Sequence, residues 1–203
     1  NLGLTPVFSE YLYAKDGTES GTRQQRAEAL MKFYRDEEIK GIFDVSGGDL
    51  ANGVLLWLDY ETIAKSGKMF WGYSDLTTVV NGLVTLFHFP YHFLQGTHMS
   101  GPLIGGNIRC FLKLAGTEYF PDLTGKLLLL EACGGGEPQL LTYLSHLEQL
   151  GAFRRVSGIL LGTFTKLDRE KGPERVWELL QSFVPTELPV ARTTFIGHGT
   201  DSR

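Results

Sequence analysis

Short apolar runs alternate with longer amphipathic stretches along the chain. This alternation is typical of strands and helices that exchange in an α/β domain. In residues 22–34, for example, Ala27, Leu30 and Met31 recur at the spacing of a surface helix. The pattern predicts helices over residues 22–34, 50–58, 76–86, 140–150 and 175–184, and strands over residues 39–45, 68–73, 127–130, 156–161 and 190–196.

Residues 87–106 interrupt the alternation. This segment contains two prolines, four glycines, three histidines and two aromatic clusters. Since proline and glycine punctuate regular structure, it is interpreted as an irregular connection between two halves of the chain. We therefore expect one domain over residues 1–90 and a second over residues 91–203.

Composition narrows the class of protein. A chain of 203 residues, 42% hydrophobic and 21% charged, is long enough to bury a sizeable core. Its 19 basic and 23 acidic residues give a net charge of −4 and are scattered, so no basic face indicates a nucleic-acid partner. Small molecules or peptides are the expected ligands.

Neither a membrane span nor a metal or disulfide framework is indicated. Apolar stretches such as residues 126–133 are far shorter than the roughly 20 residues that cross a bilayer. Cys110 and Cys133 form no C-x-x-C pair and have no histidines at ligand spacing, so both are expected to be free thiols. No secretory signal is visible, and these features together favour a cytoplasmic location.

Three sharp turns, each after an apolar run, present a polar side chain. They carry Ser74, Glu131 and His198. A nucleophilic serine needs a base within hydrogen-bond reach, and that base needs a third group to hold its tautomer. These three residues would supply all three groups from three strand ends.

Simpler explanations exist for Ser74 and Glu131 but fit His198 poorly. Ser74 could merely cap the following helix, which is the common role of a serine at that position. Glu131 follows four leucines, where burial without a partner would cost several kcal/mol, but it could also lie at a solvated sheet edge. His198 lies between two glycines and is poorly explained as core packing.

The glycine pair Gly47–Gly48 follows the strand predicted over residues 39–45. No phosphate-binding glycine motif continues from it. It could bring a backbone amide beside Ser74 as an oxyanion donor, with the amide of Asp75 as the second donor, or it could be a plain tight turn. On the first alternative, Asp75 matters for its N–H more than for its carboxylate.

Four ordered blocks resemble the LD-carboxypeptidases. Residues 46–78 contain the glycine pair, Leu-Asp-Tyr and Gly-Tyr-Ser-Asp, and residues 101–133 contain Gly-Gly-Asn and then the strand that ends in glutamate. Residues 158–165 and 189–199 complete the pattern. The resemblance implies an N-terminal parallel-sheet α/β domain and a smaller C-terminal α/β domain with a mixed sheet.

The resemblance also implies a function. It makes Ser74 the nucleophile, His198 the general base and acid, and Glu131 the orienting carboxylate, with oxyanion donors from Asp75 and the Gly47–Gly48 pair. The implied enzyme is a cytoplasmic, homodimeric serine peptidase without metal or cofactor. It would release terminal D-alanine from a murein tetrapeptide during peptidoglycan recycling.

The chain also departs from the family pattern. Ser46 stands where many members have an arginine, and the connection between Leu86 and Phe93 is shorter than the family's crossover. The opening strand and the closing segment of the family are also not seen. Two alternatives therefore stay open: a microcin C immunity-type peptidase acting on an aminoacyl nucleotide, and a catalytically silent ligand-binding relative.

Overall fold

A computed structural model of the chain describes residues 3–15, 17, 19–72, 74–80 and 90–198. Its N-terminal part builds a two-stranded parallel sheet from β1 and β2, with Gly41 opposite Met69 and Phe43 opposite Trp71. In chain order the elements of this part are α1 (Arg23–Arg35), β1 (Gly41–Phe43), a 3₁₀ helix (Ala51–Trp57), α2 (Tyr60–Ser66), β2 (Met69–Trp71), a 3₁₀ turn (Ser74–Leu76) and α3 (Thr77–Val80).

The C-terminal part builds a five-stranded sheet in the order β3-β7-β6-β5-β4 among the described residues. Strands β4, β5, β6 and β7 run parallel, and β3 joins the edge antiparallel to β7. Its elements are β3 (His92–Gln95), β4 (Leu103–Asn107), α4 (Ile108–Leu112), β5 (Leu127–Ala132), α5 (Glu137–Gln149), α6 (Ala152–Arg155), β6 (Gly158–Phe164), α7 (Thr165–Lys171), α8 (Glu174–Leu180) and β7 (Val190–Arg192).

Local sequence explains the first helix. Thr22 accepts a hydrogen bond from the amide of Gln25, whose side chain in turn accepts one from the amide of Thr22. This capping box satisfies two backbone donors that a helix start leaves free. Ala27, Met31 and Tyr34 then bury one face of α1 in the N-terminal core.

The larger core lies around the central strands β5 and β6. Leu128, Leu130 and Ile159 are fully buried there, and α5 adds Leu144 and Leu147 to the same cluster. Parallel strands covered on both faces need such continuous aliphatic runs. The core therefore holds the carboxyl ends of β5 and β6 in fixed positions.

Comparison with the sequence-based expectations confirms the α/β fold class, with a parallel N-terminal sheet and a mixed C-terminal sheet. The expectation that the C-terminal part is the smaller one is wrong, because within the described residues it has the larger sheet and the larger core. The helices predicted over residues 22–34 and 50–58 are confirmed with shifted bounds, as α1 (Arg23–Arg35) and the 3₁₀ helix (Ala51–Trp57). The irregular connection predicted over residues 87–106 is wrong in part, because β3 lies within this segment and β4 begins in it. The helix predicted over residues 76–86 falls partly outside the described residues, as does the short connection after Leu86.

Other predicted features concern absences. None of the helices in the described ranges combines the length and the apolar character that a membrane span requires. Within the same ranges, histidines, cysteines and acidic residues form no cluster that could hold a metal ion. Cys110 is buried, Cys133 is exposed, and both are free cysteines. The division into two domains at residue 90 stays a prediction.

Candidate active site

Ser74 has a strained backbone. Its φ is +60°. Among the non-glycine residues that the structure describes, Ser74 is the one with a positive φ. The left-handed region costs a side-chain-bearing residue about 1–2 kcal/mol, and such strain concentrates at functional sites. Gly72 permits the sharp turn, because a Cβ there would come within 2.8 Å of Leu76 Cδ1. Ser74 is thus presented at the turn from β2 into α3.

Asp75 anchors this turn through its side chain. The carboxylate is 5% exposed, and its Oδ2 accepts a hydrogen bond of 3.1 Å from the amide of Ala51. Thr78 Oγ1 donates to the carbonyl oxygen of Asp75 over 2.9 Å. The expectation that Asp75 matters less for its carboxylate therefore needs correction, since that group ties the turn to the 3₁₀ helix.

The loop that carries Gly47 and Gly48 passes beside Asp75. A Cβ placed on Gly48 would lie 3.9 Å from Asp75 Oδ2, while one on Gly47 would meet nothing within 4 Å. Gly48 also has a φ of +146°, which favours glycine. Gly48 therefore lies near the Asp75 carboxylate, and both glycines are exposed.

Glu131 and His198 form a hydrogen-bonded pair. Glu131 lies on the interior strand β5, and its Oε2 is 2.7 Å from His198 Nδ1. The side chains are 5% and 12% exposed, respectively. The hydrogen bond to Glu131 raises the pKa of His198 above 6.5, although burial opposes this shift. The solvated-edge alternative for Glu131 is wrong, because that strand has neighbours on both sides.

Close backbone approach brings the two residues together. A Cβ on Gly162 of β6 would lie 2.6 Å from the carbonyl oxygen of Ile196 and 3.0 Å from Glu131 Cβ. The amide of Thr163 donates to that same Ile196 oxygen over 2.8 Å. The segment leading to His198 can therefore lie against β6 only because residue 162 has no side chain.

We expect Gly162→Ala to move the segment 196–198 away from β6 and to weaken the pair between His198 and Glu131. The pKa of His198 should then fall toward 6.5, and this shift can be followed by an NMR titration of the imidazole protons. Gly158→Ala is the matched control on the same strand, because its Cβ would meet the side chains of Met99 and Leu127, far from His198. An unchanged His198 pKa in folded Gly162→Ala would contradict this account.

A cleft of about 240 Å³ opens beside Ser74. Its wall comes from the carboxyl end of β4, the start of α4, the turn after β5 and one face of α5. Side chains that line it include Ser74, Asn107, Arg109, Cys133, Gln139 and Tyr143. Polar groups at the carboxyl ends of parallel strands mark the usual ligand position of such sheets.

Sequence reasoning missed four of these lining residues as site candidates. The family resemblance places Asn107 in a Gly-Gly-Asn segment without a role of its own, and it assigns none to Arg109, Gln139 or Tyr143. Asn107 lies opposite Glu131 in the register of β4 and β5, and its side chain caps α4. The signal that could have found Arg109 is its place two residues after a strand-ending Gly-Gly-Asn.

Family models match both parts of the chain. The LD-carboxypeptidase N-terminal domain matches residues 1–93, and the LD-carboxypeptidase C-terminal domain matches residues 100–203. The chain belongs to the LD-carboxypeptidase family. Members of this family are peptidases of the carboxypeptidase type, so the chain is a carboxypeptidase-like hydrolase by family.

Curated relatives of this family member come from several bacteria. A probable murein peptide carboxypeptidase of Bacillus subtilis is 27% identical over 246 residues, which cover 99% of this chain and 77% of the relative. The microcin C7 self-immunity protein MccF of Escherichia coli is 23% identical, with 93% and 75% covered. The alignment with the Bacillus subtilis relative spans 246 residues, more than the 203 residues of this chain. That relative therefore contains segments that the chain lacks.

Solved structures share the fold. MccF in the wild-type apo state has a TM-score of 0.79 at 20% identity, covering 95% of this chain and 78% of that chain. A muramoyltetrapeptide carboxypeptidase from Oxalobacter formigenes has a TM-score of 0.75 at 21% identity, with 94% and 80% covered. At these identities the likeness establishes the α/β architecture.

Proposed function

We propose that this family member is a serine peptidase that releases terminal D-alanine from a murein tetrapeptide in peptidoglycan recycling. The observation that carries the proposal is the 2.7 Å hydrogen bond between His198 Nδ1 and Glu131 Oε2. A carboxylate on Nδ1 leaves Nε2 as the basic nitrogen, which is the arrangement that a serine nucleophile needs. Similarity to a probable murein peptide carboxypeptidase supports the choice of substrate.

In the proposed mechanism, Ser74 Oγ attacks the carbonyl carbon of the amide before the D-residue. His198 accepts the serine proton and then donates it to the leaving amine of D-alanine, which departs as the C–N bond breaks. A water molecule, activated by His198 in the same way, hydrolyses the acyl-enzyme and restores Ser74. Glu131 holds the imidazole in the correct tautomer and stabilises its charged form.

The negative charge that develops on the carbonyl oxygen needs hydrogen-bond donors. We assign the amide of Asp75 and an amide of the Gly47–Gly48 pair to this task, because Gly48 lies near Asp75 and Ser74 has the strained φ. Such donors contribute about 3–4 kcal/mol each to transition-state stabilisation. No step in this mechanism uses a metal ion or an organic cofactor.

The mechanism predicts a pH dependence. His198 must be neutral to accept the proton, and its pKa lies above 6.5 in the folded protein. We expect kcat/KM to rise with pH through an apparent midpoint above 6.5. A midpoint below 6.5 in a pH–rate profile would contradict the pairing.

The same shift predicts the sign of a stability effect. Because the folded pKa of His198 exceeds the unfolded value, protonation of His198 stabilises the fold fully below pH 6.5. This contribution is lost as the pH rises through the folded pKa. We therefore measure the thermal unfolding midpoints of the wild type and His198→Gln from pH 5 to 9. The wild type should exceed the variant by the largest margin at the acid end.

Two further properties remain part of the proposal. We propose a cytoplasmic location, in keeping with the free thiols of Cys110 and Cys133, and a homodimer, which the family resemblance favours. Size-exclusion chromatography with light scattering measures the second property directly.

The substrate is tested by incubating the protein with an L,D-tetrapeptide and, separately, with an aminoacyl sulfamoyl adenosine. Products are followed by mass spectrometry. We expect loss of D-alanine from the tetrapeptide and no cleavage of the aminoacyl sulfamoyl adenosine, which stands in for the aminoacyl nucleotide. Cleavage of only the nucleotide would favour the immunity-type reaction, and cleavage of neither would favour a ligand-binding relative without catalysis.

A further inference from the structure

Arg109 brings a positive charge to the cleft beside Ser74. Of the described residues that line the cleft, Arg109 carries a charge and the others are neutral. Its side chain is half exposed. A guanidinium that lines a cleft with otherwise neutral walls attracts an anionic group of a ligand.

The surroundings of Arg109 leave a net positive charge. Asp49 accepts hydrogen bonds from both Arg109 Nη2 and Lys113 Nζ, the latter over 2.8 Å. The hydrogen bond from Lys113, followed by that from Arg109, lowers the pKa of Asp49, so this carboxylate is ionised. One negative and two positive charges leave an excess of one. Asp49 also orients Arg109 through one nitrogen, while a guanidinium has five N–H donors.

Arg109 is attached to the same frame as Ser74. Thr77, in the helix that directly follows the Ser74 turn, accepts a hydrogen bond of 2.9 Å from the amide of Asn107 through its Oγ1. Asn107 caps α4 by accepting from the amide of Cys110, and Arg109 lies in the first turn of that helix. The position of the Arg109 backbone relative to the Ser74 turn is therefore set by buried polar contacts, and Asp49 then orients its guanidinium.

Helix α5 adds neutral hydrogen-bonding groups to the wall of the cleft. Tyr143 and Gln139 lie one turn apart on α5 and both line the cleft. Burial raises the pKa of Tyr143, against the opposing influence of Arg109, so the phenol is neutral and can donate a hydrogen bond. The cleft volume of about 240 Å³ has room for one small amino acid.

We propose that Arg109 binds the C-terminal carboxylate of the residue that leaves, with the Tyr143 hydroxyl as a second donor. This inference rests on the proposed function, since it names the group that the same site recognises. A guanidinium matches a carboxylate through two parallel N–H···O bonds. The cleft would then select peptides that end in a free carboxylate one residue after the cleaved amide.

The test compares the tetrapeptide with its C-terminal carboxamide. We expect the wild type to prefer the acid, and Arg109→Met to raise KM for the acid about 10- to 100-fold with kcat within about threefold. The carboxamide should be cleaved equally well by both proteins, and Arg109→Lys should recover part of the preference. Arg169→Met, an exposed arginine on α7 away from the cleft, is the matched control and should match the wild type.

Binding separates this inference from the proposed function. N-acetyl-D-alanine and its amide are titrated into the wild type and Arg109→Met by ligand-observed NMR. Suppose that the wild type cleaves neither tetrapeptide but binds N-acetyl-D-alanine at least tenfold more tightly than its amide, and that Arg109→Met shows no such preference. The carboxylate site then stands and the proposed reaction fails. Equal binding of acid and amide by the wild type would overturn the site. An equal loss of kcat/KM for the tetrapeptide acid and for its carboxamide in Arg109→Met would also overturn it.

Discussion

Ser74→Ala is expected to lower kcat for D-alanine release by about 10⁴-fold or more, because it removes the nucleophile of the proposed triad. The backbone should be unaffected, since alanine and serine meet the same strain at a φ of +60°. Substrate binding should persist, with a dissociation constant near that of the wild type. The measurement is kcat from initial rates, with calorimetry for binding.

Ser74→Gly separates the strain from the chemistry. It removes the same hydroxyl but tolerates the positive φ, so we expect it to be about 1 kcal/mol more stable than Ser74→Ala. Both variants should be equally inactive. A Ser74→Ala variant that retains more than a tenth of the wild-type rate would contradict the nucleophile assignment.

Glu131→Gln should have the second largest effect, a loss of about 10⁴-fold in kcat with little change in the fold. Glutamine preserves the shape of the buried side chain, but it cannot stabilise the imidazolium of His198. The pKa of His198 should also fall, because the hydrogen bond to the carboxylate is the first cause that raises it. The pH–rate profile of the residual activity should therefore shift to lower pH.

Glu170→Gln provides the control for this substitution. Glu170 is exposed on α7, and its replacement removes the same charge without touching the pair. We expect wild-type kcat and an unchanged pH–rate profile. If Glu131→Gln lost less than tenfold in kcat, Glu131 would have no orienting role.

The sequence predicted the elements whose local and global signals agree. α1 combines a capping box at Thr22 and Gln25 with an amphipathic face, and β5 is an unbroken aliphatic run between helices. In both cases the residues that form the element also bury the correct side. Such agreement makes an element predictable without knowledge of its partners.

Strand β4 was missed for a physical reason. Its residues Gly105 and Gly106 suggest a turn, yet they are needed because the strand passes very close to its neighbours. A Cβ on Gly105 would lie 2.2 Å from the Leu129 carbonyl oxygen, and one on Gly106 would lie 2.7 Å from Thr77 Oγ1. These contacts depend on residues far along the chain, so propensity alone could not indicate them.

The residues of the candidate site also divide into those that the sequence indicates and those that depend on the fold. Ser74, Glu131 and His198 stand out in the sequence because each follows an apolar run, and the family order adds weight to them. Arg109 follows no apolar run, and its one sequence signal is its place two residues after Gly-Gly-Asn. Its position in the cleft depends on the cap at Asn107 and on Asp49, 60 positions earlier, so the folded chain is needed to recognise its role.

Release of D-alanine is the measurement that tests the central claim most directly. An L,D-tetrapeptide is mixed with excess enzyme, and the D-alanine set free is counted per peptide by mass spectrometry for the wild type and Ser74→Ala side by side. The account predicts one D-alanine per tetrapeptide from the wild type and none from the variant in the same time. Equal release by both proteins, or none by the wild type, would contradict it.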